Sequence, residues 1–475
     1  MVDLFIYLLS VLLTFVLSIP AVCYVKNSIV SLFYKIKEKD KEAYERGIKI
    51  LKESKPKIAI VIPTYNEKDV IKDTIEYLEN NICYSNYIII IADDSNDPES
   101  IKIIDSLKEK YNNILVYRRN NREGYKGGCL REVHEKVIKR LGIEYYYVFD
   151  CDWKPQPDFI EKTLPYMLGD SSIGIVQFSR RLKRDISLSQ YISSSVIESA
   201  YTVDLPARYM LDEWILFTGS SGLLRTKAVD DAGGWIGHLT EDIHLSLRIT
   251  LAGYRTIYLK DVESYGVETP QRWTSYIIQQ SRWCDGTIDA IISNFYKIIS
   301  SKKLTIRQKI SIIYQLLMFS SGVIVFILFI FNILLEILYI KGIISPITIK
   351  LSKALGDSML YLVIFYFIAS ILPPLTNYVM NHRSKLHLLP LAVVYTWSQF
   401  IANIRILLYN TKWMPTPKKR DKNILSYDII ISVFLFIVVY SIFCYLDLVV
   451  IHNKLQMYHI IYWFILMSPI ISKAT

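Results

Sequence analysis

Cysteine is sparse and unpatterned in this chain. The six, Cys23, Cys83, Cys129, Cys151, Cys284 and Cys444, show no paired spacing, which excludes a cysteine-ligated metal cluster and points to inert thiols in a reducing compartment. No internal repeat and no low-complexity tract occurs. The residues before the first apolar run carry no basic side chain, and no small-residue cleavage site follows that run, so a secretory signal peptide is excluded. A basic face interleaved with aromatics is also missing. The net charge is +10, but the 35 tyrosines are spread over sheet-like and lipid-like segments, and a nucleic-acid binder is not expected.

What the chain has in quantity is apolar sequence. Hydrophobic residues make up 52% of the 475, with a mean hydropathy of +0.25, which places a good part of the chain in lipid. Leu4 to Val25 is uncharged for 22 residues, about 33 Å as a helix, enough to cross a bilayer as an uncleaved anchor. Further candidate spans lie at about 312–339, 358–380, 427–451 and 457–472. The stretch 387–409 carries Thr396, Gln399 and Asn403 on one helical face, the pattern of an interfacial helix lying in the membrane plane. Lys26, Lys35, Lys37, Lys39 and Lys41 follow the first span, and Lys412, Lys418, Lys419, Arg420 and Lys422 precede a later one. By the positive-inside rule both groups, and the domain between them, face the cytoplasm of a multi-pass cell-membrane protein. Membrane lipids are therefore expected partners.

The text between the spans changes character. Residues 26–55 read as a charged helical connector. Ile58 to Ile62 then reads as a strand, Asp69 to Asn80 as a helix, Tyr87 to Ala92 as a strand, Ser100 to Tyr111 as a helix and Ile114 to Tyr117 as a strand. This alternation predicts an open, mostly parallel α/β sheet whose ligands sit at the carboxyl ends of its strands.

Polar motifs occupy those strand ends. Asp93-Asp94-Ser95 follows the second strand; a carboxylate there can accept from a base N–H or a ribose hydroxyl, and the same three residues also suit a turn. Lys126 stands in a glycine-rich loop that lets backbone approach a ligand. Asp150 and Asp152 follow the apolar run Tyr145 to Phe149. Alternation puts both carboxylates on one side where the extended backbone continues, and two hard oxygen ligands beside a diphosphate suit Mg²⁺ or Mn²⁺. Thr240-Glu241-Asp242 opens an apolar periodic run, either a capped helix start or the seat of a general base, Asp242. Gly219 and Ser220 are small enough to line a channel for a sugar ring. Gln279, Arg282 and Trp283 recur at i, i+3 and i+4 and share one helical face, where a guanidinium can fork onto a diphosphate and an indole can plate a sugar.

In order, VIPTYNE, ADDSNDPES, REGYKGG, VFDCDWKPQPDF, FTGSSGLLR, LTEDIHLSLRI and QQSRW over residues 58–290 resemble the membrane-bound family 2 glycosyltransferases of the cellulose-synthase-like kind, with the flavour of glucomannan and mannan synthases. The resemblance implies a GT-A type open mixed sheet flanked by helices, with an all-α transmembrane part. It divides the chain into an anchor (1–25), the connector (26–55), a cytoplasmic catalytic domain (56–300) and a transmembrane domain (301–475) of about four spans. Tyr65, Glu67, Asp94, Lys126, Asp150 and Arg282 would hold the nucleotide, with Asp93 beside them, and Asp150 and Asp152 the metal. Asp242 would be the base, and Gly219, Ser220, Glu241, Gln279 and Trp283 would face the acceptor. Trp413, Thr416 and Lys418, in WMPTPK within the loop 410–424, would gate the donor, although Trp413 and Pro415 depart from the cellulose synthase text. The implied activity is inverting hexosyl transfer from a UDP- or GDP-sugar, repeated on a β-linked glycan that crosses the membrane. The same motifs also suit transfer of one sugar to a lipid, and a nucleotide-sensing transporter is the alternative of a different class.

Overall fold

The computed structural model describes residues 2–182, 188–266, 273–315 and 368–380, with isolated positions at 318, 334, 341, 342 and 365. The apolar segment at the start lies within one helix, α1 (Val2–Ser31), followed by α2 (Glu38–Ser54). The connector is therefore not one helix: α1 continues into it, and the chain breaks before α2. Among the described residues no helix is long and apolar enough to cross a membrane; the side chains of most α1 residues before Ser18 lie outside the described set. The interfacial segment 387–409, the loop 410–424 and the two last candidate spans also lie outside it, as do most residues of 312–339, whereas 368–380 of the span 358–380 is described and helical.

The domain that follows alternates as the periodicity predicts: β1 (Ile58–Thr64), α3 (Lys68–Asn81), β2 (Tyr87–Asp93), α4 (Pro98–Lys110), β3 (Ile114–Arg118), α5 (Tyr125–Val133) and β4 (Tyr145–Val148). The helix expected from Ser100 begins earlier. Asp97 accepts from the Ser100 N–H at 3.1 Å and Pro98 occupies the first turn, so the cap and the proline set the start. Then come β5 (Trp153–Pro155), α6 (Phe159–Gly169), β6 (Ile173–Leu182), α7 (Leu188–Ser199), α8 (Leu205–Met210), β7 (Gly222–Arg225), α9 (Thr226–Asp231), α10 (Glu241–Ala252), β8 (Arg255–Gly266), α11 (Trp273–Ser293) and α12 (Phe295–Ser300).

The eight strands form one open sheet in the order β3-β2-β1-β4-β7-β6-β8-β5. The pairs β1–β2, β2–β3, β1–β4 and β6–β8 are parallel, while β4–β7, β6–β7 and β5–β8 are antiparallel. The sheet is thus mixed, as the resemblance implies, with four of its seven pairings parallel; β7 returns against β4 instead of crossing over. Strand alternation splits the interior in two. Ile58, Ile60, Ile62, Ile89 and Ile91 pack with α3, α4 and α6 in one layer, whereas Ala59, Val61, Ile90 and Ala92 meet α5, α9 and α10 in the other. Both sheet faces are covered, which is why these strands read as continuous apolar runs.

Candidate active site

At β4 the sheet changes from parallel to antiparallel pairing, and a cavity of about 590 Å³ opens there. Its lining includes Tyr65, Glu67, Asp94, Lys126, Asp150, Asp152, Glu241, Asp242, Gln279, Arg282 and Trp283. Residues up to 218 positions apart in sequence, Tyr65 and Trp283, thus face one space. Gly219 and Ser220 are not among the lining residues. Ser220 is fully buried, and its Oγ accepts from the Asp150 N–H at 2.9 Å, so it fastens the aspartate loop from behind. Trp413, Thr416 and Lys418 lie outside the described residues.

The segment of Asp150 and Asp152 does not stay extended. The Trp153 N–H donates to the Asp150 carbonyl at 3.0 Å, closing a turn between β4 and β5, and the turn rather than strand alternation brings both carboxylates to the cavity. Lys126 Nζ donates to Asp150 Oδ1 at 2.6 Å and to the Gly219 carbonyl at 2.9 Å, with Glu241 Oε1 at 3.5 Å. Arg180 Nη2 donates to Asp150 Oδ2 at 3.3 Å while its guanidinium lies 4.5 Å from the Trp153 ring centroid. Asp150 is therefore bracketed by two cations. Burial alone pulls the Lys126 ammonium down, but Asp150, Glu241 and Asp242 outweigh that and keep it charged.

Thr240 precedes α10 without capping it through its side chain; its hydroxyl instead lies 3.2 Å from His238 Nδ1. Burial raises the carboxyl of Asp242 and pushes that of Glu241 up to about 7, with Lys126 opposing both shifts. A carboxylate held above its ordinary range in a closed site is a competent general base. Asp242 Oδ1 accepts from the Ile243 N–H at 2.9 Å. Gly219, at φ +77°, makes room for the other oxygen, since a Cβ there would stand 2.8 Å from Asp242 Oδ2.

Gln279, Arg282 and Trp283 share one face of α11 and all reach the cavity. Among the described residues Gln279 Oε1 is buried with no hydrogen-bond partner, an acceptor open to a donor from outside them. Burial lowers the Arg282 guanidinium, partly offset by Glu241. At the other end of the site, Arg122 lies 3.4 Å over the Tyr65 ring. Asp94 is held in a fork by Arg119, with Nε to Oδ1 at 2.7 Å and Nη2 to Oδ2 at 2.6 Å. Asp93 is fully buried and accepts from Arg118 Nε at 2.6 Å and the Ser95 N–H at 2.9 Å. Arg119, Arg122, Arg180 and Trp153 escape sequence inspection. Arg180 leaves one trace there, as one of two consecutive arginines in a wholly buried strand, where that residue type is rare without a charged partner.

The donor set at Asp150 and Asp152 is two carboxylates, with oxygens suited to Mg²⁺ or Mn²⁺ sharing its shell with water and phosphate. Asp150, Glu241 and Asp242 together keep the buried Lys126 ammonium charged, so the surrounding field favours a cation, which would take over Asp150 oxygens that Lys126 and Arg180 hold. The residues fit such an ion.

Residues 56–286 match the family described as glycosyltransferase like family 2. The chain is 32% identical over 267 residues to glucomannan 4-beta-mannosyltransferase 1 of Oryza sativa subsp. japonica, covering 55% of this chain and 51% of that one. It is 29% identical over 268 residues to glucomannan 4-beta-mannosyltransferase 2 of Arabidopsis thaliana, covering 55% and 50%. The chain thus spans about half the length of these relatives. Among solved structures, the mannosyltransferase PcManGT from Pyrobaculum calidifontis, in complex with GDP-Man and Mn²⁺, aligns at 14% identity with a TM-score of 0.45, covering 82% of this chain and 99% of that one. Residues 56–286 thus form a domain that matches glycosyltransferase family 2.

Proposed function

We propose that this chain is an inverting hexosyltransferase of GT-A type that takes a UDP- or GDP-sugar and extends a β-linked glycan. The observation that carries the proposal is the single cavity onto which Lys126, Asp150, Asp152, Asp242, Arg282 and Trp283 all open. Asp242 removes the proton of an acceptor hydroxyl as that oxygen bonds to the anomeric carbon from the face opposite the leaving group. The bond from the anomeric carbon to the phosphate oxygen breaks, the nucleoside diphosphate leaves with the electron pair, and the configuration inverts. Lys126 and Arg282 bind the phosphate oxygens as charge develops on them, the pre-placed electrostatic stabilisation that such a step needs. Asp150 and Asp152 would hold Mg²⁺ or Mn²⁺, which adds positive charge beside the departing diphosphate. Trp283 and the Gln279 carbonyl oxygen orient the acceptor ring.

The relatives named above are mannosyltransferases, so GDP-mannose is the first donor to try. The lining continues past the polar groups to Pro373 and Pro374, which favours a path for a growing product over a closed single-transfer site. Multi-pass insertion in the cell membrane with this domain in the cytoplasm completes the proposal, on the strength of the apolar segments and their flanking lysines. The test is Asp242→Asn in membranes given radiolabelled GDP-mannose, UDP-glucose and related donors. Turnover should fall by about 10²–10⁴, with donor affinity nearly unchanged. Loss of donor binding, or a variant that turns over normally, overturns the assignment of the base; product length on a gel separates a polymer from a singly glycosylated lipid.

A further inference from the structure

One cluster of ligating side chains takes no part in the chemistry above. His238 in the loop before α10, His244 on α10 and Asp289 on α11 bring their ligand atoms within 4.8 Å of one another. Asp289 Oδ2 lies 3.3 Å from Nε2 of both histidines, and the two rings stand 4.3 Å apart at 61°. His244 is 5% exposed, and among the described residues its Nε2 faces Asp289 Oδ2 at 3.3 Å without a well-formed hydrogen bond. A buried nitrogen so loosely met by a carboxylate gains from an ion bound between the two.

A second histidine cluster supplies the contrast. His134 Nε2 lies 2.9 Å from Asp230 and Nδ1 lies 3.2 Å from the Tyr146 hydroxyl, so both ring nitrogens are occupied and the role is structural. At His238, Thr240 presents its hydroxyl and its N–H to Nδ1, each at 3.2 Å. The Thr240 N–H makes Nδ1 an acceptor and leaves the ring hydrogen on Nε2, facing Asp289; an ion at Nε2 requires that hydrogen to move to Nδ1, where the Thr240 hydroxyl can accept it.

We propose that His238, His244 and Asp289 form a transition-metal site, separate from the Asp150 and Asp152 carboxylates, that takes Zn²⁺ and fastens α10 to α11. Two imidazoles and one carboxylate are the ligand set of a three-residue zinc site with its remaining position open to water. Hard ions such as Mg²⁺ prefer the all-oxygen carboxylate pair. The two helices are already close: a Cβ on Gly286 would stand 2.1 Å from Thr240 Oγ1, so the backbone of α11 packs directly on the residue before α10. The ion adds a second clamp one turn further along. The clamped elements carry Asp242 and Arg282, so the positioning role rests on the proposed transfer reaction, whereas ion binding does not.

The test uses the full chain in detergent, stripped with a chelator and titrated with Zn²⁺ against a chromophoric competitor in excess Mg²⁺, which occupies the carboxylate pair. The expected result is one tight Zn²⁺ per chain, with affinity lowered at least about tenfold by Asp289→Asn and by His238→Asn. Co²⁺ in the same site should give visible bands that His244→Ala removes. Asp289 is exposed at its side chain, so its variant folds even where loss of the buried His244 does not. Absence of stoichiometric Zn²⁺ binding, or binding that survives both Asp289→Asn and His238→Asn, overturns the proposal. Sugar transfer is not read in this titration, so failure of the proposed activity and failure of the zinc site are distinguished.

Discussion

Replacing Gly219 by alanine tests whether the position of the Asp242 carboxylate controls turnover. The added Cβ would stand 2.8 Å from Oδ2 and 3.3 Å from Cγ of Asp242. Relief of that contact requires the carboxylate to withdraw by about 0.7 Å, given that nonbonded heavy atoms settle near 3.5 Å. A displacement of about 1 Å in a reacting group costs about 10²-fold, so a loss of about 20- to 30-fold is expected here, in kcat rather than in the donor KM. The substitution carries a second cost of about 1–2 kcal/mol, because alanine is placed at φ +77°. Gly142→Ala isolates that second cost: φ is +62°, and its Cβ would meet nothing within 4 Å. The assay is donor-dependent sugar incorporation at saturating donor, beside thermal melts of both variants. Similar melting losses with a turnover loss confined to Gly219→Ala are expected; a Gly219→Ala enzyme that turns over like Gly142→Ala refutes the role given to Asp242.

Removing the Lys126 charge should change the pH profile. Burial raises the carboxyls of Glu241 and Asp242 while Lys126 pulls both down, so Lys126→Met moves the acid limb of kcat to higher pH at saturating donor. A limb at the wild-type position would show that Lys126 does not act on the base. Arg119→Ala strands the Asp94 carboxylate, whose ion pair has side-chain exposures of 2% and 4%. The expected loss is about 3–5 kcal/mol in chemical denaturation, and Arg119→Ala with Asp94→Ala together should recover part of it; a single variant as stable as wild type denies the pair its structural weight.

The strands that build the parallel half of the sheet were legible because each is buried on both faces. Ile58, Ile60 and Ile62 serve one layer and Ala59 and Val61 the other, so the whole run is apolar. The antiparallel half resists the same inspection: β8 carries Lys260, Asp261 and Glu263, and β5 has three residues, too few for a period to register. The acidic motifs and the α11 face were visible as local spacing. Their cationic partners were not, since Arg119 meets Asp94 from 25 positions away and Arg180 meets Asp150 from 30, and tertiary packing alone decides such pairings. Strand alternation also predicted the right side for Asp150 and Asp152 by the wrong route, because a turn follows β4.

The place of the site follows from β4. Its register with β1 is parallel and with β7 antiparallel, Val148 standing opposite Gly222. The carboxyl end of β4 therefore meets the amino end of β7, and the residues just outside both strands, Asp150 and Ser220, are forced into contact through the 2.9 Å hydrogen bond between them. The Gly219 carbonyl then lies within reach of Lys126, which already holds Asp150. In an all-parallel sheet the strand beside β4 would present its own carboxyl end, and the loop that makes room for Asp242 would lie on the far edge. The reversal of one strand is thus what brings the loop proposed to bind diphosphate, the lysine and the proposed base to one rim.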